Sequence, residues 1–378
     1  MGVEFQPRDY NKTGKETSAT WPPPLVLGLQ PAALVDHVAK VDLSLLSQIP
    51  GKPGGSFPVT AAELKCILSE VNTHILSTPD NSSSSKTMAG GSVANTIRGL
   101  AAGFGVNCGI IGACGDDEEG RLFRTNMSSY KVDLSRLRLK SGPTAQCVCL
   151  VDERGNRTMR PCLSDAVKVK ANELKKEDFR GSKWLVVRYA IFNLDIIQAA
   201  IQMAKEEGLS VSLDLASFEM VRQFRLPLLQ LLESRNIDLC FANEDEAIEL
   251  LRGEEDAKED ANYEAALEFL SKYCKWAVVT LGSSGCIAKN GKEVVRLPAT
   301  GKKEAIDATG AGDLFAGGFL YGLMKGLSLE ECCKIGSCSG GSVIRSLGGE
   351  VTRENWQWMY TQMRNKGLPV PDSANSDS

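Results

Sequence analysis

Between Trp184 and Thr280 the chain alternates two kinds of segment, and that alternation constrains the fold more than any other feature. Short continuous apolar runs, Trp184–Val187, Ser210–Leu215, Ile237–Phe241 and Trp276–Thr280, read as buried strands. Between them lie stretches of helical length: Asp195–Glu207, Leu226–Glu233, Glu244–Leu251 and Tyr263–Tyr273. A strand that returns parallel to its predecessor needs a long crossover, and the helix in that crossover packs on the sheet. The pattern therefore predicts an α/β chain with a mostly parallel sheet and helices on both faces. The 378 residues, 43% of them hydrophobic, suffice to bury such a core without staples. In sheets of this kind ligands bind outside the carboxyl ends of the strands.

A glycine-rich turn follows that alternating region. Asp307-Ala308-Thr309-Gly310-Ala311-Gly312-Asp313 is small and flexible, and Leu314-Phe315-Ala316-Gly317-Gly318-Phe319-Leu320 is apolar and reads as a helix. A tight turn opening a helix aims backbone N–H groups at one spot, backed by the positive end of the helix dipole. The N–H groups of Gly310, Ala311 and Gly312 would bind an anion there, with Asp313 placed to take a proton. The plainer alternative is a loop with Asp as helix cap.

Other marked residues fall beside strand ends or open helices. Asp36 follows the first strand, Leu25–Leu29. Gly90-Gly91 precedes a helix carrying Asn95, as a plain turn or as a place where backbone can approach a ligand closely. Asn243 and Glu246 follow Ile237–Phe241, either as dipole-complementing first-turn residues or as a pair able to hold hydrated Mg²⁺. Thr280-Leu281-Gly282-Ser283-Ser284-Gly285 is a hairpin turn or a phosphate-facing loop. Thr60 with Glu63 forms a capping box. Ser77–Thr87 reads as a Ser-rich connector, Thr144–Val151 with Arg157–Arg160 as a hairpin, and Cys286–Arg296 as another.

Composition narrows the chemistry. A net charge of −4 without a basic stripe gives no support to a nucleic-acid partner. No apolar run approaches the ~20 residues of a membrane span, so no membrane role is expected. Two histidines, His37 and His74, argue against a His-based metal site or a Ser-His-Asp triad. Twelve scattered cysteines without C-x-x-C pairs read as buried free thiols in a reducing compartment. Residues 1–24 lack the apolar core of a signal peptide and read as disordered, as does a tail over 368–378. The expected location is the cytoplasm.

Taken together these motifs carry a resemblance. Gly90-Gly91-x-x-x-Asn95, Asn243-x-x-Glu246, Val279-Thr280-x-Gly282-x-x-Gly285 and Asp307–Asp313 occur in the order and spacing of the ribokinase-like (pfkB) carbohydrate and nucleoside kinases, which the chain resembles over residues 25–350. The resemblance implies a three-layer α/β/α Rossmann-like domain over 25–367, with a small β-sheet lid from about 30–60 and 143–163. It implies transfer of the ATP γ-phosphoryl to a primary hydroxyl, with Asp313 as general base and Gly310, Ala311 and Gly312 as the anion hole. Asp36, Gly90, Gly91 and Asn95 would hold the acceptor, and Tyr189 would stack on a base. Asn243, Glu246, Thr280, Gly282 and Gly285 would serve ATP, with Asn243 and Glu246 holding Mg²⁺ through water. Asp307 matches a position that in some members helps hold a monovalent cation such as K⁺, although Ala308 departs from the usual Thr or Pro. Lid strands in the family can pair two subunits, so a homodimer is one expectation.

The acceptor follows from weaker signals. Leu34-Val35-Asp36-x-x-Ala39-Lys40-Val41-Asp42 is similar to purine nucleoside kinases, the inosine–guanosine type above all and adenosine kinase more loosely. Gly341-Ser342-Val343-Ile344-Arg345 is adenosine kinase-like. The expected reaction is 5′-phosphorylation of inosine or guanosine. A ribose or fructose kinase is the rival enzyme, and a non-catalytic homologue the rival of another class.

Overall fold

The structure is a computed structural model that describes residues 22–53, 55–76, 84–153, 155–252 and 262–375. The expected disorder of 1–21 lies outside these residues. Pro22–Pro24 are docked rather than loose: Asn107 Nδ2 donates to the Pro22 and Pro23 carbonyls, and Pro24 is buried. At the other end Leu368 and Ala374 are buried in the core, so the expected disordered tail from 368 is corrected as far as 375.

The chain opens with strand β1 (Val26–Ala32) and, after the single residue Ala33, β2 (Leu34–Lys40). Helices α1 (Leu43–Gln48) and α2 (Ala61–His74) follow, then β3 (Ser85–Gly90), α3 (Ser92–Phe104), β4 (Cys108–Gly115) and α4 (Glu118–Ser129). The capping box of α2 forms: Thr60 N–H donates to Glu63 Oε2 at 2.7 Å, and Glu63 N–H to Thr60 Oγ1 at 3.2 Å. Next come β5 (Leu137–Lys140), β6 (Ala145–Val151) and β7 (Arg157–Cys162). The alternating region is β8 (Trp184–Arg188), α5 (Leu194–Glu206), β9 (Ser210–Asp214), α6 (Phe218–Gln223), α7 (Arg225–Glu233), β10 (Leu239–Asn243), α8 (Glu244–Leu251), α9 (Tyr263–Leu270) and β11 (Trp276–Thr280). A hairpin of β12 (Cys286–Asn290) and β13 (Glu293–Leu297) precedes α10 (Ala311–Met324), α11 (Leu329–Val343) and α12 (Arg353–Asn365).

The main sheet runs β13-β12-β11-β10-β9-β8-β1-β4-β5. It is parallel except at the β11–β12–β13 edge. Successive residues of its strands enter opposite layers, as the two-residue pleat requires. Val26 belongs to the core layer built with residues of α3, α10, α11 and α12, and Leu27 to the opposite layer built with residues of α5, α7, α8 and α9. This is the expected three-layer α/β/α architecture with parallel core strands buried on both faces.

A second sheet, β3-β2-β6-β7, forms the lid. One of its faces is covered by α1 and α2 through Ala39, Leu45, Leu64, Ile67, Val148 and Leu150. The expected lid stretches supply β2, β6 and β7. The fourth strand, β3, comes from a segment read as connector: residues 77–83 lie outside the description, but Ser85–Gly90 pairs antiparallel with β2. Ser85 and Lys86 are polar and carry no apolar strand signal, so pairing with β2 decided their conformation.

Candidate active site

The glycine turn opens α10 as expected. Gly310 is its N-cap at φ 78°, a backbone state glycine adopts without strain, and a Cβ there would stand 3.0 Å from Gly349 Cα. The Ala311 N–H turns back to the Ala308 carbonyl at 3.2 Å. That corrects its place in the anion hole and leaves Gly312 and Asp313 as first-turn donors of the helix. Gly312 is exposed, with open space where a Cβ would stand.

Asp307 holds the turn together. Its Oδ1 accepts from the Thr309 N–H (2.9 Å) and hydroxyl (2.7 Å), and its Oδ2 from the Gly348 N–H (2.8 Å). A fully buried carboxylate with three protein donors is a structural anchor of the turn.

Asp313 is half-buried and reached from α3. Ser92 donates its hydroxyl to Oδ1, Asn95 Nδ2 donates to Oδ2 at 2.9 Å, and the Thr96 hydroxyl donates to the Asp313 carbonyl at 3.1 Å. Residues 92, 95 and 96 share one helix face at spacings of three and four. Asn95 therefore positions the carboxylate in this structure, whereas the sequence suggested a contact with acceptor.

Asn95 is held in turn by Arg98, a buried residue the sequence reading passed over. Arg98 Nη2 donates to Asn95 Oδ1 (2.8 Å) and the Gly349 carbonyl (3.0 Å). Its Nη1 donates to the Ala89 carbonyl (2.6 Å) and Asn126 Oδ1 (2.9 Å). Behind it Glu350 accepts from Asn126 (3.0 Å) and the Tyr130 hydroxyl (2.7 Å) and pairs with Lys86. Burial alone would raise the Glu350 carboxyl, but Lys86, Arg98 and these donors hold it down at about 2. Gln30, at the end of β1, was also missed: it donates to the Gly90 carbonyl and accepts from Ala94 N–H, both at 3.0 Å. The Leu347-Gly348-Gly349-Glu350 segment was the available sequence signal for this third wall of the site.

Asp36 sits on β2 at 6% exposure, facing this wall. Burial pushes its carboxyl up to about 7; Arg98 opposes the shift, Asp313 adds to it, and the Gly91 N–H and Cys149 thiol donate to it. Gly90 must be glycine, because a Cβ would fall 2.1 Å from Asp36 Cγ. Gly91 lies at φ 93° against the Gln30 amide. Asp36, Gly90, Gly91, Asn95 and Asp313 thus come together where the lid meets the main sheet.

At the ends of β9 and β10 a second acidic group lies close by. Asn243 and Glu246 form a full capping box, with Asn243 N–H and Nδ2 donating to Glu246 at 2.9 and 2.7 Å. Burial pushes Glu246 up to about 8, and neighbouring Asp214 adds to it. Asp214 is itself raised by burial, with Arg188 opposing and Asp313 reinforcing the shift. Glu246 and Asp214 are thus neighbouring buried carboxyls, the oxygen donor type that a hard divalent cation takes. Asp214 was read only as part of the strand Ser210–Leu215.

The remaining candidates divide. Thr280 ends β11, its hydroxyl 3.5 Å from the Ala242 carbonyl, and Gly282 stands in open space at φ 53°. Gly285 is fixed by the hairpin, since a Cβ would meet the Leu297 carbonyl at 1.9 Å. Tyr189 is fully buried and donates its hydroxyl to the Phe224 carbonyl at 2.7 Å, so the stacking role expected for it is corrected to a core role. Of the lid arginines, Arg160 is buried and bonded to carbonyls of the 50–55 loop, whereas Arg157 Nη1 reaches the Ala308 carbonyl at 3.4 Å.

The family model for pfkB family carbohydrate kinases matches residues 65–355. An uncharacterized sugar kinase from Archaeoglobus fulgidus is 28% identical over 65% of this chain and 94% of its own. Adenosine kinase 2 from Arabidopsis thaliana is 29% identical over 63% of this chain and 72% of its own. Among solved structures, adenosine kinase from Sinorhizobium meliloti is 29% identical and superposes with a TM-score of 0.78, covering 91% of this chain and 99% of that one. No helix among the described residues is long and apolar enough to cross a membrane. The chain belongs to the pfkB family of carbohydrate kinases, and is a phosphotransferase of the nucleoside and sugar kinase type with an alcohol group as acceptor.

Proposed function

We infer that the protein transfers the γ-phosphoryl group of ATP to the 5′-hydroxyl of a purine ribonucleoside, with inosine and guanosine as the expected acceptors. The observation that carries the reading is Asp36 beside Asp313: one buried carboxylate able to hold ribose hydroxyls and a second placed to take the proton of the attacking one. Phosphoryl transfer depends on positioning and charge stabilisation more than on covalent chemistry. Ser92 and Asn95 orient the Asp313 carboxylate, and the Asp36 contact fixes the hydroxyl before it. The Gly312 and Asp313 N–H groups at the start of α10 face the developing phosphoryl charge. Thr280 and Gly282 line the nucleotide side. Glu246 and Asp214, with Asn243, are suited to hold Mg²⁺, which neutralises phosphate charge when bound.

The adenosine kinases among the relatives favour a nucleoside over a free sugar, and make adenosine the first rival acceptor. The Leu34–Asp42 pattern favours the 6-oxopurines. A free-sugar kinase is the second reading, supported by the Archaeoglobus relative. A coupled ATP-consumption assay over inosine, guanosine, adenosine, ribose and fructose decides among them. The expected order of kcat/KM puts inosine and guanosine first. A higher value for adenosine corrects the base, and one for ribose or fructose overturns the nucleoside reading.

A further inference from the structure

Cys147 and Cys149 stand two residues apart on β6 and so project from the same face of the lid sheet. That face also carries Asp36, which pairs across the sheet with Cys147. The two sulfurs lie 3.7 Å apart, and the three side chains bring their ligand atoms within 4.8 Å of one another. Tetrahedral zinc with Zn–S bonds of about 2.3 Å holds its sulfurs about 3.8 Å apart. Among the described residues no other trio of His, Cys, Asp and Glu side chains gathers in this way. All three are buried, at 4%, 2% and 6% exposure, with Met88, Val38 and Val151 around the thiols, so the sulfurs lie in a low-dielectric pocket whose polar end is Asp36.

We propose that Cys147, Cys149 and Asp36 form a binding site for a soft divalent cation of the zinc class, and that occupancy blocks the acceptor site. Two thiolates and one carboxylate make three protein ligands, and the fourth tetrahedral position stays open to water. Binding releases the two thiol protons to solvent, together with any proton on Asp36, and no electron moves. The sulfur donors separate this site from the Mg²⁺ that accompanies ATP, since Mg²⁺ takes oxygen ligands in octahedral geometry. A cation bound there takes the carboxylate that would otherwise accept acceptor hydroxyls. The blocking half of the proposal rests on the role given to Asp36 above; the binding half does not.

The full chain is titrated with Co²⁺ as a spectroscopic probe and with Zn²⁺ in competition against a chromophoric chelator. The expected result is one Co²⁺ per chain with thiolate charge-transfer bands and tetrahedral d–d bands. Cys147→Ser with Cys149→Ser abolishes those bands and weakens Zn²⁺ binding by at least about 100-fold, because two of three ligands are lost. Cys66→Ser, at an exposed thiol elsewhere, leaves both unchanged. Cys149→Ala alone, with its melting temperature recorded, leaves one thiolate and one carboxylate; if the double variant fails to fold, it should still weaken Zn²⁺ binding by about tenfold or more and reduce the charge-transfer bands from a folded chain. Bands that survive these changes, or that never form, overturn the site. In kinetics Zn²⁺ raises the KM for acceptor and leaves the KM for ATP unchanged. Binding confirmed by cobalt with inhibition competitive against ATP instead overturns the blocking half and the role of Asp36 while leaving the metal site standing.

Discussion

Arg98 grips the amide oxygen of Asn95 at 2.8 Å, and the amide nitrogen of that same Asn95 grips Asp313 at 2.9 Å. The guanidinium thereby fixes which end of the amide faces the candidate base. Arg98→Met removes four hydrogen bonds from a buried site and leaves carbonyls and amides without partners. The expected loss is about 3–5 kcal/mol in urea unfolding. The folded fraction should show a reduced kcat at saturating substrates, which restoring volume alone cannot repair.

Asp313→Asn keeps the size of the side chain and removes the proton acceptor. Turnover should fall by roughly 10²–10⁴-fold. ATP and acceptor binding, followed by calorimetry, should stay near wild type. Wild-type turnover in this variant would remove Asp313 from the base role.

Gly90→Ala places a methyl group against the Asp36 carboxylate. The side chain must swing away, so the KM for acceptor should rise by about tenfold or more, as expected when a buried hydrogen bond to a charged group is lost. The KM for ATP should not follow it. Equal changes in both would show that the substitution disturbs the whole turn.

Asp36 and Glu246 are carboxyls raised to about 7 and about 8 in the folded chain. The folded state binds more protons than the unfolded state between their ordinary range and these values, so stability falls as pH rises through that window. Without ligands the melting temperature should therefore drop from about pH 5 to about pH 8. Asp36→Asn and Glu246→Gln should each flatten the slope, and Mg²⁺ with ATP should restore stability at the upper end in the wild type more than in Glu246→Gln. In activity the sign reverses: kcat/KM for acceptor should fall as pH drops below about 7, where Asp36 gains its proton.

The main sheet was legible because buried parallel strands are short apolar runs and their helices carry a period of 3.6. Trp276–Thr280 was placed to the residue, and Ile237–Phe241 ran two residues early of Leu239–Asn243. The lid strand Ser85–Gly90 was illegible because polar residues adopt it only through pairing with β2. Asp313 and Gly310 could be picked from sequence because turn chemistry is a local signal, and Asp36 because it closely follows the first apolar run, although it lies inside β2 rather than at a strand end. Arg98, Gln30 and Asp214 could not: Gln30 takes its meaning from partners 60 or more residues away, and Arg98 and Asp214 from burial that no local pattern reports. Tyr189 failed for the same reason in reverse: position after a strand says nothing of whether a ring points to a ligand or into the helix layer.

Only Ala33 separates β1 from β2, and only Gly91 separates β3 from α3. The chain crosses between the lid and the main domain four times, and two of those crossings are one-residue joints close to Asp36. A pivot at these joints moves Asp36 on its strand while Asp313 stays on α10 with the phosphate turn. Such a pivot would part the two carboxylates, one on the lid strand β2 and the other on α10. In a lid that pivoted there, a water molecule could not be held from both sides at once, and ATP would meet a positioned nucleophile only with an acceptor bound.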